Sequence, residues 1–331
     1  MKHFTLDQSH ADDRRVISHL RLIRRRLTPV RGWLDSAFLA GGFARGEGRL
    51  VNGLPDNDYD IVLVWKNRLV LPLGAAFAKP ALALARRDIG CRYLDYVHHA
   101  RTQPLPPTLF HADNTLHAFR FIGRTPYQNL GGISIRDVPA AELQRQLCNR
   151  CVCLLEALPL DAPYHRDPTY RYLVRHQAAK AALAVIDAVL HAAAVYAGTV
   201  REKLLLAEQT GHRLALPLVP LVRTIKFGPN PTPSFETAQA DWRRLHTLFR
   251  DALDTFDADA WLNSLNGPMN ILRPALRGVL VTQRESYAAL ADLIRRYPAD
   301  AIPADTRRRA VYNWYRVNNR LPPAFRKWGI V

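Results

Sequence analysis

Sulfur is scarce in this chain, with two methionines and four cysteines among 331 residues. Three of the cysteines, Cys148, Cys151 and Cys153, crowd into the run CNRCVC, and Cys91 stands far from them. A zinc site needs more ligands at workable spacing, so buried free thiols are expected. Long apolar runs are missing too. The longest, residues 181–198, is interrupted near its middle by Asp187 and His191. That suits a helix in a bundle core and excludes a membrane span, so no membrane partner is expected. The opening MKHFTLDQSHADDRR has no apolar stretch of the secretory kind, and a cytoplasmic protein is the expectation. There is no internal repeat, heptad array or low-complexity tract.

Acidic side chains are the other shortage: 29 against 46 basic ones, for a net charge of +17. An anionic partner is expected from that balance. The excess is uneven, since residues 270–331 carry twelve basic and four acidic groups while residues 201–269 carry eight of each. In the basic stretch Tyr312, Trp314, Tyr315 and Trp328 interleave with Arg307, Arg308, Arg309, Arg316, Arg320 and Arg326. Stacking surfaces mixed with charge suit nucleic acid. Arg307, Arg308, Arg309 and Arg316 are therefore the candidate acceptor-binding cations. A composition of 48% hydrophobic and 23% charged residues at this length fits two globular domains.

The chemistry concentrates in residues 39–65, LAGGFARGEGRLVNGLPDNDYDIVLVW. Residues 37–40 suit a buried strand, and residues 61–65 form a β-branched run too short for an independent helix. Successive side chains on a strand point to opposite faces, so Asp58 and Asp60 project together and Tyr59 and Ile61 project the other way. Two carboxylates on one face repel unless a cation lies between them, and hard oxygen donors suit Mg²⁺. The Gly41-Gly42 pair lets backbone N–H groups approach a polyanion closely.

Gly41-Gly42-Phe43-Ala44-Arg45-Gly46-Glu47 followed by Asp58-Tyr59-Asp60-Ile61 resembles the signature of the DNA polymerase β-like nucleotidyltransferase superfamily. The resemblance implies an α/β (α+β) catalytic domain with a small mixed sheet. It implies that the Gly41-Gly42 turn holds an NTP triphosphate through backbone amides, that Asp58 and Asp60 bind two Mg²⁺ ions, with Mn²⁺ as a substitute, and that a third acid on a later strand completes the site. Such an enzyme moves an NMP group from the NTP to an acceptor hydroxyl and releases pyrophosphate. Fifteen residues separate Gly42 from Asp58. That is more than the family usually shows, so a longer loop is expected through residues 48–55. The second glycine also stands where many members carry serine. Asp95, in the strand-like run CRYLDYV, is the expected third catalytic and metal-binding acid, with Asp88 in reserve. Arg45 is expected to bind the nucleotide.

Elsewhere the spacing of apolar residues predicts helices over residues 11–28, 74–86, 142–158, 168–191, 237–256, 283–297 and 306–319. A strand is expected over residues 115–122, and residues 214–225 read as an apolar stretch broken by Pro217 and Pro220. The expected division is a catalytic domain over residues 1–138 and an α-helical bundle over residues 139–331. Many bacterial members of the superfamily pair these two, the bundle closing over the nucleotide, so Arg175 and Lys180 are expected to reach the triphosphate. Arg171 and His176 also match the Arg-x4-His spacing of the HEPN ribonucleases. The charge favours RNA, particularly tRNA, or another anionic acceptor. Protein AMPylation of the toxin type and antibiotic modification are alternatives within the same chemistry. A non-catalytic module that binds RNA or a partner is the alternative outside it.

Overall fold

The structure, a computed structural model, describes residues 2–56, 58–91, 93–228, 233–265 and 282–318. The chain divides into two units: one takes in the chain to Pro139 together with Ala197–Glu202, and the other takes Ala140–Tyr196 and the chain from Lys203 onward.

In the first unit, helix α1 (His10–Arg26) precedes strand β1 (Leu34–Ala40), which runs directly into the short helix α2 (Gly41–Ala44). Ser9 caps α1 by accepting from the Asp12 N–H. Asp12 and Asp13 lie in its first turn and Arg24, Arg25 and Arg26 in its last, matching the helix dipole at both ends. A hairpin of β2 (Leu50–Val51) and β3 (Leu54–Pro55) follows, then β4 (Tyr59–Trp65), α3 (Leu71–Ile89), β5 (Leu94–Ala100), α4 (Leu109–His117) and β6 (Phe119–Gly123).

Four of the strands form one mixed sheet in the order β5-β4-β1-β6. Strand β1 is antiparallel to β4 and β6, whereas β4 and β5 are parallel and need the crossover that the 19 residues of α3 supply. The central strands are apolar along nearly their whole length because both faces are covered. Tyr59, Ile61, Leu63 and Trp65 pack in one core cluster with residues of α1 and α3, while Val62 and Val64 pack on the other face with Phe38, Tyr127 and Leu130.

Two local expectations change. Residues 48–55 are not a plain loop. Asn52 and Gly53, with φ of 53° and 76°, form the two-residue turn of the β2–β3 hairpin. Asn-Gly is a strong signal for a turn that needs positive φ at both positions. Residues 115–122 are not one strand either. Thr108 caps α4 by accepting from the His111 N–H, and the Thr115 hydroxyl donates to the His111 carbonyl at 2.9 Å, a helical spacing. The strand begins only at Phe119.

The second unit is helical among its described residues: α5 (Ala140–Glu156), α6 (Asp161–Arg166), α7 (Pro168–Ala192), α8 (Val200–Thr210, its first turn assigned to the first unit), α9 (Val219–Phe227), α10 (Phe235–Thr255), α11 (Ala258–Ser264), and the helices Gln283–Arg296 and Ala304–Asn318. Helix α5 is central, packing against α7, α10, α11 and the last two helices. Cys148, Cys151 and Cys153 are free and buried on it, and burial pushes all three thiols up from their ordinary values. The stretch expected to be broken by prolines is helical in α9, where Pro220 falls in the first turn and no backbone donor is missed. Among the described residues no helix is long and apolar enough to cross a membrane.

Candidate metal centre

Three carboxylates meet at one end of the sheet. Asp58 immediately precedes β4, and Asp60 is its second residue, so the strand alternation carries both to the same face. The parallel register of β4 and β5 sets Asp60 beside Asp95. One oxygen from each of Asp58, Asp60 and Asp95 lies within 4.8 Å of the others. Asp58 and Asp60 are half-buried and Asp95 is exposed, which leaves the trio open to solvent on one side. The reserve acid, Asp88, is engaged elsewhere, by Arg26 Nε at 2.7 Å.

The antiparallel register of β1 and β4 sets Ala40 beside Asp60, so the next residue, Gly41, meets the trio. Gly41 has φ of +62°, and a Cβ built on it would stand 1.8 Å from Asp60 Oδ2. Only glycine satisfies both conditions. Gly42 differs: its Cβ would meet nothing closer than the Glu47 carbonyl at 3.9 Å. A serine has room there.

Arg45 caps the C-terminal end of α2 and lies between two acids, with Nε 2.9 Å from Glu47 and Nη1 3.6 Å from Asp113. Burial works against its charge, but Glu47, Asp113 and, more weakly, Asp60 outweigh that and hold the guanidinium above its ordinary value. Glu47 also accepts from the backbone N–H of Val200. No spacing in the chain points to Asp113, which lies on the helix α4 where no helix is expected, and the motif itself assigns no partner to Glu47.

The trio fits a hard divalent ion. All three donors are carboxylates, and the missing side chain of Gly41 keeps the Asp60 oxygen clear. Mg²⁺ prefers such oxygens, completed by water and by phosphate.

The other named residues belong to the second unit. Arg175 is half-buried on α7 and lines a cavity of about 320 Å³ with Val174, Pro220, Ile225, Asp241 and Trp242. Lys180 lies near the buried Glu156 and helps its charged form. Arg171 Nη1 donates to the carbonyls of Tyr164 and His165 at 3.0 and 3.2 Å, and the His176 ring stacks on Tyr172 at 5.5 Å.

Arg307 requires a correction. It is 3% exposed and its Nη1 lies 3.4 Å from the Leu155 carbonyl, so it is a core group and not a surface docking cation. Its position in the stripe 307, 311, 314 turns it toward the bundle with Val311 and Trp314. Trp314 and Tyr315 are also buried and serve the core. Arg308 pairs with Asp305, while Arg309 and Arg316 are exposed, the latter 5.5 Å from the Tyr312 ring. Arg320, Arg326 and Trp328 lie outside the described residues.

No protein-family model, curated protein or solved structure matches the chain.

Proposed function

We propose that the protein is a Mg²⁺-dependent nucleotidyltransferase of the DNA polymerase β-like kind, acting on an NTP and an anionic acceptor, RNA foremost, in the cytoplasm. The observation that carries this reading is the meeting of Asp58, Asp60 and Asp95 beside Gly41, at the junction of strand and turn. Turn chemistry alone gives no reason for three acids to share that place. Asp58, Asp60 and Asp95 would hold Mg²⁺, which would supply charge neutralisation at the triphosphate and a more acidic acceptor hydroxyl. The backbone at Gly41 and Gly42 admits the triphosphate closely. A carboxylate oxygen of Asp95 takes the proton of the acceptor hydroxyl as its oxygen attacks the α-phosphorus. The bond from that phosphorus to the bridging oxygen breaks, and pyrophosphate leaves. Arg45, held by Glu47 and Asp113, keeps a positive charge beside Asp60.

The net charge of +17 favours a polyanion over a cationic antibiotic as acceptor. The test is incubation of the protein with each α-labelled NTP, Mg²⁺ and total cellular RNA or total protein. Label entering RNA in the wild type and absent with Asp60→Asn supports the reading. Label entering only protein moves the acceptor to a protein hydroxyl, and no label with any NTP sinks the enzymatic proposal.

A further inference from the structure

We infer that His3, His10 and Asp13 form a second metal site, distinct from the carboxylate trio and suited to Zn²⁺ or a similar late first-row divalent ion. One donor atom from each of the three lies within 4.8 Å of the others. His3 Nδ1 stands 2.8 Å from Asp13 Oδ2, and the rings of His3 and His10 lie 5.6 Å apart, tilted by 41°. An ordinary His–Asp contact accounts for His3 and Asp13. It gives no reason for a second imidazole at the same carboxylate.

The carboxylate is held for this purpose. Asp13 is 1% exposed, and its Oδ1 accepts from the Phe4 N–H at 2.8 Å, which turns Oδ2 toward the imidazoles. Outer hydrogen bonds of this kind orient a metal's ligands. Asp13 and His10 are three residues apart on the first turn of α1 and therefore share a face. His10 is exposed, and its rotation closes the present spacing toward zinc–nitrogen bonds of about 2.0–2.1 Å. The open side leaves a fourth position for water.

Donor chemistry separates the two sites. Two imidazoles and one carboxylate suit zinc, copper, nickel or iron, whereas Asp58, Asp60 and Asp95 offer only hard oxygens. An ion at the histidines also has a structural consequence. The segment that carries His3 is bonded to the turn after Arg45, through Leu6 N–H to the Gly48 carbonyl at 2.9 Å and Gly48 N–H to the Phe4 carbonyl at 3.0 Å. Binding there fastens that segment to α1.

Co²⁺ added to the metal-free full-length protein tests this, with visible absorption as the readout, because cobalt bound by imidazole at low coordination absorbs far more strongly than the hydrated ion. One equivalent is expected to give that absorption in the wild type and equally in Asp58→Asn/Asp60→Asn, and Zn²⁺ is expected to displace it. His10→Ala removes an exposed ring and is expected to weaken binding by at least the roughly 10–100-fold that loss of a supporting group costs a metal site. His3→Gln is the second variant, should His10→Ala fail to fold. Absence of saturable absorption in the wild type, an unchanged titration in either folded histidine variant, or its loss in the double asparagine variant would each overturn the assignment.

Discussion

Gly41 and Asp60 are in such close register that a methyl group on the first would overlap a carboxylate oxygen of the second, at 1.8 Å from Cβ to Oδ2. Gly41→Ala therefore carries two penalties. Its positive φ costs about 1–2 kcal/mol for a side-chain-bearing residue, and Asp60 must move. The expected result is a lowered Tm together with loss of Mn²⁺ binding at the trio, followed by electron paramagnetic resonance. Gly42→Ser, placed where nothing lies within 3.9 Å of the new Cβ, is expected to leave both unchanged. Equal behaviour of the two variants would contradict the geometry argued for the turn.

Asp60→Asn separates catalysis from stability. Asp60 shares its place with Asp58 and Asp95, so removing one charge relieves repulsion in metal-free buffer. Stability without Mg²⁺ is expected within about 0.5 kcal/mol of the wild type or above it, while Mg²⁺-dependent transfer falls below detection. Urea unfolding and the labelled-NTP assay give the two numbers. Transfer that survives in this variant would remove Asp60 from the chemistry.

The strands that carry Asp58, Asp60 and the Gly41 turn were legible because their signals are local. Alternation put Asp58 and Asp60 on one face, and an apolar run bounded by glycines marked the end of β1. Asp95 was readable only as an acid within a strand-like run. Its approach to Asp60 depends on a parallel register that no spacing in the chain states. Asn52-Gly53 is itself a hairpin-turn signal, but the strands on either side are two residues each, too short to show an alternating pattern. Arg307 misled for a different reason. Three consecutive arginines look like a surface, yet a helix turns each by about a quarter of its circumference, and one of them faces the core. The partners of Arg45 were hidden because Asp113 comes from a helix whose cap, Thr108, follows two prolines that read as a break.

Arg45 is the cation on which this corner of the first unit depends. It lies between Glu47 and Asp113 with its side chain 19% exposed, so Arg45→Ala leaves two poorly solvated acids beside Asp60. Breaking such a group by removing one partner costs about 3–5 kcal/mol. Arg45→Lys is expected to recover only part of this, since a single ammonium cannot span both carboxylates as the fork does. Denaturant unfolding at neutral pH measures both variants. A loss below about 1 kcal/mol for Arg45→Ala would class the contacts with ordinary surface pairs.

Glu156 makes the stability of the helical unit sensitive to pH. It is 1% exposed on α5, and burial raises its pKa from 4.5 to about 8 against the opposing effects of the Tyr315 hydroxyl and Lys180. Gln177 Nε2 also donates to it at 2.7 Å. Because the folded value lies above the unfolded one, the folded state binds the extra proton between them. The contribution is fully present below about 4.5 and is lost as pH rises through about 8. Unfolding free energy is expected to decline across that window, and Glu156→Gln to flatten the decline. An identical slope in the variant would assign the pH dependence to other groups.

The exposed arginines of the last described helix give the acceptor its test. Arg309 and Arg316 face solvent, whereas Arg307 is buried, so charge reversal at Arg309 and Arg316 spares the core and reversal at Arg307 does not. If RNA docks on this helix, each lost phosphate contact lowers the log–log salt slope by roughly 0.7–0.9. Arg309→Glu/Arg316→Glu is therefore expected to weaken RNA binding and to make it less salt-dependent, with Tm and NTP binding unchanged. Arg307→Glu is expected to unfold the helical unit, because an unpaired carboxylate would replace a guanidinium that now lies beside the Leu155 carbonyl. Fluorescence anisotropy with labelled RNA at several salt concentrations decides the matter. A double variant that binds RNA with wild-type affinity and slope would move the docking surface off this helix, and the acceptor would then have to be sought at another basic face.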